Sequence, residues 1–178
     1  MLPRHDCAVL VVFVGLPGSG KTTLARRAAA ELRATHLRID AIEAALLRSG
    51  VARPPLGPVG YAVAHEVAAA CLLVGTPVVV DAVSPVPEAR MGWATLAATS
   101  GVPLRVVEVV MTDRVEHRRR VEARRSDLGG LVVPTWAQVL SLEYEPWDVE
   151  RDGPRLLVTN DGAVDEALDQ VLGYLSTI

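Results

Sequence analysis

The stretch Gly15-Leu16-Pro17-Gly18-Ser19-Gly20-Lys21-Thr22 constrains this chain more than any other. It satisfies G-x-x-x-x-G-K-[ST] at every fixed position. Glycines let the backbone turn so that successive N–H groups point inward at phosphate oxygens. A helix starting there adds its positive dipole end to the same anion. The pattern asks for a strand before it, and Ala8–Val14 is β-rich and apolar on both faces, as a central parallel strand is. It asks for a helix after it, and Thr23–Leu32 has helical composition. Gly15, Pro17, Gly18, Ser19, Gly20, Lys21, Thr22 and Thr23 are therefore the candidate triphosphate ligands. Lys21 would reach the β- and γ-phosphates, and the Thr22 hydroxyl would ligate Mg²⁺.

Composition sharpens this reading. Lys and Arg total 18, and Lys21 is the only lysine, so the one ammonium of an arginine-rich chain stands where the motif needs it. Half of the 178 residues are hydrophobic and 22% are charged, which is globular and excludes disorder as the main state. A net charge of −3 and 4% aromatics disfavour a nucleic-acid partner. Cys7 and Cys71 have no metal or redox spacing. The apolar stretch between Glu66 and Asp81 is broken by Gly75 and Pro77, short of the roughly 18 residues of a membrane helix. Arg4 followed by Ala8–Val14 imitates a signal peptide but leads into the glycine loop, not a cleavage site. A cytoplasmic location without membrane association is the expectation, and the oligomeric state is not legible.

Strand-like and helix-like runs alternate along the chain. Strands are expected at Ala8–Val14, Thr35–Ile39, Pro77–Val80, Leu104–Val110 and Arg155–Val158. Helices are expected at Thr23–Leu32, Ile42–Leu47, Ala62–Val74, 86–99, Asp113–Arg125, Thr135–Leu142 and Ala163–Leu175. Residues 50–60 read as a proline- and glycine-rich loop, and 126–134 as a mobile connection. This is an α/β chain with a five-stranded parallel sheet and helices on both faces. With no repeat or linker visible, residues 1–178 form one expected domain, with a lid at about 113–134.

Ligands bind beyond the carboxyl ends of parallel strands. Two expected strands lead into aspartate there, Asp40 and Asp81. Asp81 follows an apolar strand, the setting of a carboxylate that binds Mg²⁺ through water. Asp40 is free to take the proton of an acceptor hydroxyl as its oxygen attacks phosphorus. Asp40 can also cap the following helix in a capping box with Glu43. Asp113–Arg125 carries Arg114, Arg118, Arg119, Arg120, Arg124 and Arg125. Arg120 and Arg124 are one turn apart on the His117 face. Such guanidiniums either stabilise charge on a transferred phosphoryl or form a solvated face.

Gly-Leu-Pro-Gly-Ser-Gly-Lys-Thr-Thr, Arg-Ile-Asp40, Val-Val-Val-Asp81 and His-Arg-Arg-Arg-Val-Glu-Ala-Arg124, in this order, resemble a family of small bacterial P-loop kinases. Its relatives include chloramphenicol phosphotransferase, the polynucleotide 5′-kinase domain and zeta toxins. The resemblance runs from about Val9 to Trp147. It implies strand order 2-3-1-4-5, ATP·Mg²⁺ as donor, Asp40 as base, and Arg120 and Arg124 as lid arginines. It places Thr159 and Asn160 beside the adenine. Polynucleotide kinases commonly carry an arginine three residues past the base, and here that residue is Glu43, which would repel a phosphorylated acceptor. Glu43, the 50–60 loop, Tyr61, His65 and Glu66 would build the acceptor pocket beside Asp40 and Asp81. His65 also reads as an ordinary helix residue, and Trp136, Tyr144 and Trp147 as packing residues.

Two classes of function follow. One is transfer of the γ-phosphoryl of ATP to a hydroxyl of a small molecule, such as an antibiotic or another metabolite. The other is a nucleotide-binding module or slow ATPase whose output is a conformational change. A toxin-like kinase of sugar nucleotides is a variant of the first.

Overall fold

A computed structural model describes residues 8–177, so Arg4 and Cys7 lie outside the described residues. β1 (Leu10–Val14) and β3 (Val78–Asp81) are buried along their whole length and take the middle of the sheet. β2 (Thr35–Arg38) and β5 (Leu156–Thr159) are partly exposed edges, and β4 (Leu104–Val110) lies between β1 and β5. The order β2-β3-β1-β4-β5, with every pairing parallel, is the one expected.

Side-chain alternation on the strands divides the core in two. Val11, Phe13, Val79, Val107 and Val109 pack on one face against α1 (Lys21–Leu32) and α8 (Val164–Leu175). Leu10, Val12, Val14, Val78 and Val80 pack on the other, against α3 (Val59–Leu73) and α4 (Pro87–Ser100). The remaining helices are α2 (Ile39–Ser49), α5 (Arg114–Ala123), α6 (Trp136–Ser141) and α7 (Val149–Asp152).

Several boundaries differ from the sequence reading. β2 stops at Arg38, so Asp40 is not a strand end but lies in the first turn of α2. The N-cap of α2 is Arg38 and no side chain caps it, so the capping box of Asp40 with Glu43 does not form. α3 begins at Val59, inside the expected 50–60 loop. α5 ends at Ala123, which leaves Arg124 as its C-cap and Arg125 beyond it. The one-turn α7 carries too few residues for a period to show in sequence.

Arg90 fastens the 143–153 segment to the body. Its guanidinium donates to the carbonyls of Ser84 (3.1 Å) and Pro85 (3.2 Å), to that of Glu145, and to Asp152 (2.7 Å). It lies 5.4 Å from the Tyr144 ring centre and 4.9 Å from that of Trp147. Both side chains of the Arg90–Asp152 pair are at most 2% exposed. Arg151 first, then Asp148 and Arg90, hold the Asp152 carboxyl well below the usual range against the opposing effect of burial. A depressed carboxylate stabilises the fold above its unfolded pKa of about 3.9, and that stability is lost as pH falls through the folded value. Asp152→Asn should lower stability at pH 7 and flatten the loss on acidification below about pH 4, read by urea unfolding at several pH values.

Candidate active site

The loop 15–22 turns through left-handed backbone at Gly18 (φ 84°) and Gly20 (φ 92°). A Cβ on Gly18 would come within 2.5 Å of Val121 Cγ2, and one on Gly20 would strike Asn160 Nδ2. The loop is thus clamped between α5 and the chain after β5. Asn160, itself buried, donates from Nδ2 to the Ser19 carbonyl at 2.8 Å. His117 Nε2 is 2.8 Å from the Pro17 carbonyl. A carbonyl only accepts, so that nitrogen carries the proton.

Lys21 opens α1 and is buried. Burial pushes its ammonium below the ordinary value, with the charges of Asp81 and Asp40 opposing. Asp81 ends β3, is 3% exposed, and neither of its carboxylate oxygens has a hydrogen-bond partner. Its nearest cation is Arg38, whose Nε stands 3.7 Å away. Buried polar atoms without partners call for an explanation, and a hydrated divalent cation supplies one. Among the described residues no group of three or more His, Cys, Asp or Glu could hold a metal alone. Thr22 and Asp81 fit the role of partial ligands that leave room for water and phosphate oxygens, as Mg²⁺ prefers.

Arg38 joins the parts of this site. Its guanidinium reaches Asp127 at 2.7 Å and Asp40 Oδ2 at 3.2 Å, besides Asp81. Burial works against the Arg38 charge, yet the Asp127 hydrogen bond and the charges of Asp40, Asp127 and Asp81 hold its pKa above the ordinary value. Arg124 Nη2 meets the same Asp40 Oδ2 at 3.2 Å. Both contacts fall on one oxygen, and Asp40 Oδ1 has no protein partner among the described residues.

Two cavities meet here. The first, about 430 Å³, is lined by Gly18, Gly20, Thr22 and Thr23, and by the seven cations Lys21, Arg26, Arg38, Arg119, Arg120, Arg124 and Arg125, against one carboxylate, Asp127. That balance suits a polyphosphate. The second, about 180 Å³, is lined by Asp40, Glu43 and Val83 and by the apolar run Leu131–Pro134. Lys21, Arg38 and Arg124 line both.

The other expected residues lie apart from this junction. Arg120 is taken up by Glu116 (2.7 Å) and the Asn160 carbonyl (3.0 Å), which ties α5 to the chain after β5. Thr159 is exposed at the end of β5. Tyr61, His65 and Asp81 do not line the second cavity, contrary to expectation. The Tyr61 hydroxyl accepts from the Ser84 N–H at 2.9 Å. The His65 ring packs edge-on against Trp93 at 4.0 Å, over Gly92. Both belong to an apolar face that the sequence alone could not orient. Arg38 and Asp127 were not singled out in sequence. The available signal was that Arg38 precedes Asp40 by two residues at the end of a strand.

A family model described as AAA domain matches residues 10–135. Among solved structures, a sugar kinase from Janibacter sp. HTCC2649 is 17% identical with a TM-score of 0.68, covering 96% of this chain and 95% of that one. A gluconokinase from Sinorhizobium meliloti 1021 is 19% identical with a TM-score of 0.64, covering 98% and 94%. The APS kinase CysC of Mycobacterium tuberculosis, in complex with AMPPNP and APS, is 24% identical with a TM-score of 0.63, covering 96% and 98%. These likenesses show a shared fold. No curated protein matches by sequence. No helix among the described residues is long and apolar enough to cross a membrane.

Gly20→Ala tests the clamp on the loop. A side chain at φ 92° is strained, and its Cβ would displace Asn160 from the Ser19 carbonyl. The variant should melt at lower temperature and lose calorimetric binding of AMPPNP.

Proposed function

The chain belongs to the AAA domain family, and from that premise we propose that it transfers the γ-phosphoryl group of ATP to a hydroxyl of a small molecule. One observation carries the reading. The cation-rich cavity and the smaller cavity share Lys21, Arg38 and Arg124, and Asp40 stands on the wall of the smaller one with Oδ1 unpaired. A triphosphate in the first cavity would then present its end to an acceptor in the second. The acceptor oxygen bonds to the γ-phosphorus, the bond to the β,γ-bridging oxygen breaks, and ADP leaves with that electron pair. The hydroxyl proton passes to Asp40 Oδ1.

Each side chain has a proposed part. Backbone N–H groups of Gly18, Ser19, Gly20 and Lys21 hold the phosphates, and the Lys21 ammonium offsets their charge. Thr22 and Asp81 would hold Mg²⁺, which would neutralise charge on the phosphate oxygens. Arg124 orients Asp40 and reaches the phosphate cavity, where it would stabilise the transferring group. Arg120 and Asn160 shape the adenine side, next to Thr159. Residues 113–134 act as a lid within one domain of residues 1–178, and Asp127 docks that lid on Arg38. Within the kinases, the placement near chloramphenicol phosphotransferase, the polynucleotide 5′-kinase domain and zeta toxins stands on the sequence motifs. Names of solved neighbours as sugar kinase, gluconokinase and APS kinase are in keeping with small acceptors and a nucleotide donor. A small acceptor and no membrane or nucleic-acid partner fit a cytoplasmic enzyme.

Asp40→Asn tests the base. It keeps the size of the residue, so melting temperature should change little. ATP binding should persist. Single-turnover transfer should fall by about 10²–10⁴. Near wild-type transfer would remove Asp40 from the chemistry, and acceptor-independent hydrolysis alone would favour an ATPase module. Lys21→Ala should abolish turnover and weaken ATP binding. The two arginines should separate: Arg124→Ala lowers kcat more than nucleotide affinity, and Arg120→Ala does the reverse, read by steady-state kinetics and calorimetry.

A further inference from the structure

Glu43 is the carboxylate of the smaller cavity that nothing answers. It stands in α2 one turn past Asp40 and makes no hydrogen bond or ion pair among the described residues. It is packed in place: a Cβ on Gly60 of α3 would come within 2.8 Å of its Cγ and 3.0 Å of its Oε1. Burial, then the charge of Asp40, raises its carboxyl above the ordinary carboxylate range.

The cavity offers Glu43 no cation of its own. Arg38 is committed to Asp127, Asp40 and Asp81, and Arg124 to Asp40. Lys21 belongs to the phosphate cavity as well. The Ser126 hydroxyl donates to the Leu128 carbonyl at 2.6 Å. The rest of the cavity lining is apolar, chiefly Val83 and the run Leu131–Pro134. A half-buried carboxylate without a partner is costly, and a charged donor relieves it about twice as well as a neutral one.

We propose that the acceptor is a small amino alcohol, whose hydroxyl lies against Asp40, whose ammonium pairs with Glu43, and whose methylenes lie on the 131–134 wall. This rests on the phosphotransfer reading above and narrows its substrate. The Cβ atoms of residues three apart on a helix stand about 5–6 Å apart, a span suited to a hydroxyl and an amine about two to four carbons apart. The cavity, at about 180 Å³, is below the roughly 300–1,000 Å³ that drug-sized ligands occupy, which favours a small metabolite over an antibiotic. A phosphate or carboxylate at the amine position would lie beside Glu43, while Arg38 and Arg124 are paired with Asp40. In the transfer the hydroxyl oxygen takes the γ-phosphoryl, the hydroxyl proton goes to Asp40, ADP leaves, and the ammonium is unchanged.

The test measures ADP release with Mg²⁺ and ATP against matched probes: ethanolamine, 3-amino-1-propanol and 2-amino-1,3-propanediol, their diol and triol counterparts, and glycerol 3-phosphate. Calorimetric binding of AMPPNP with Mg²⁺ runs alongside. The expected result is a kcat/KM for amino alcohols above the matched polyols by about tenfold or more. Glu43→Gln should bring that ratio close to one, and Glu43→Asp should restore part of it. The ratio is taken within each protein, so it does not depend on the fraction folded. Equal rates for amino alcohols and polyols, a preference that survives Glu43→Gln, or AMPPNP binding with no probe phosphorylated would overturn the proposal and leave the phosphotransfer reading standing. Failure of the wild type to bind AMPPNP would overturn both.

Discussion

Strand register decides where the chemistry of this molecule can occur. Arg38 pairs with Asp81 across β2 and β3, and Asp81 pairs with Phe13 across β3 and β1, two residues before Gly15. Neighbours in a parallel sheet point the same way, so Arg38 and Asp81 rise together beside the glycine loop. A slip of one residue would turn Asp81 from the face it shares with Phe13 and Val79 to the opposite one, where α3 and α4 pack. What prevents the slip is apolar: β3 is buried on both faces, with Val78 and Val80 in one core and Val79 in the other. The polar site is therefore positioned by valines that never touch it.

Much of this was legible in the sequence. The glycine loop announced a strand before it and a helix after it, and the alternation of runs gave a parallel sheet with helices on both faces. Strand order came through the resemblance, since alternation leaves order open. Helix starts were the weak point. Asp40 and Glu43 have the spacing of a capping box, but α2 begins at Ile39 and puts Asp40 inside its first turn. The carboxylate still sits near the positive end of a helix, so position mattered more than the cap. Tyr61 and His65 could not be oriented, because α3 is apolar nearly all round and gives no period by which to tell a cavity face from a packing face.

Arg38 shows why pairwise sequence motifs miss part of such a site. It meets Asp40 from the next helix, Asp81 from the next strand and Asp127 from a segment 89 residues away. Only the first of these is local. Lys21 is surrounded the same way, with its charge opposed by burial and supported by Asp81 and Asp40. Buried charges of one sign would be untenable here, and the interleaving of both signs makes the site affordable before any ligand arrives.

The charges are not shared evenly between the two cavities, and that asymmetry carries the direction of the proposed transfer. On the phosphate side cations outnumber carboxylates seven to one, so a polyanion relieves repulsion there. On the other side Arg38 and Arg124 are already answered by carboxylates, while Glu43 is not. The group left unanswered there is a carboxylate, which a cation or hydrogen-bond donor relieves. Arg124 is bound to Asp40 yet lines both spaces, so filling the phosphate cavity competes for its guanidinium. Drawing Arg124 toward phosphate would leave Asp40 Oδ2 with Arg38 alone and free that side of the carboxylate toward the smaller cavity. Occupancy of one cavity would thus prepare the other through a single side chain, with no large movement of the sheet that holds them.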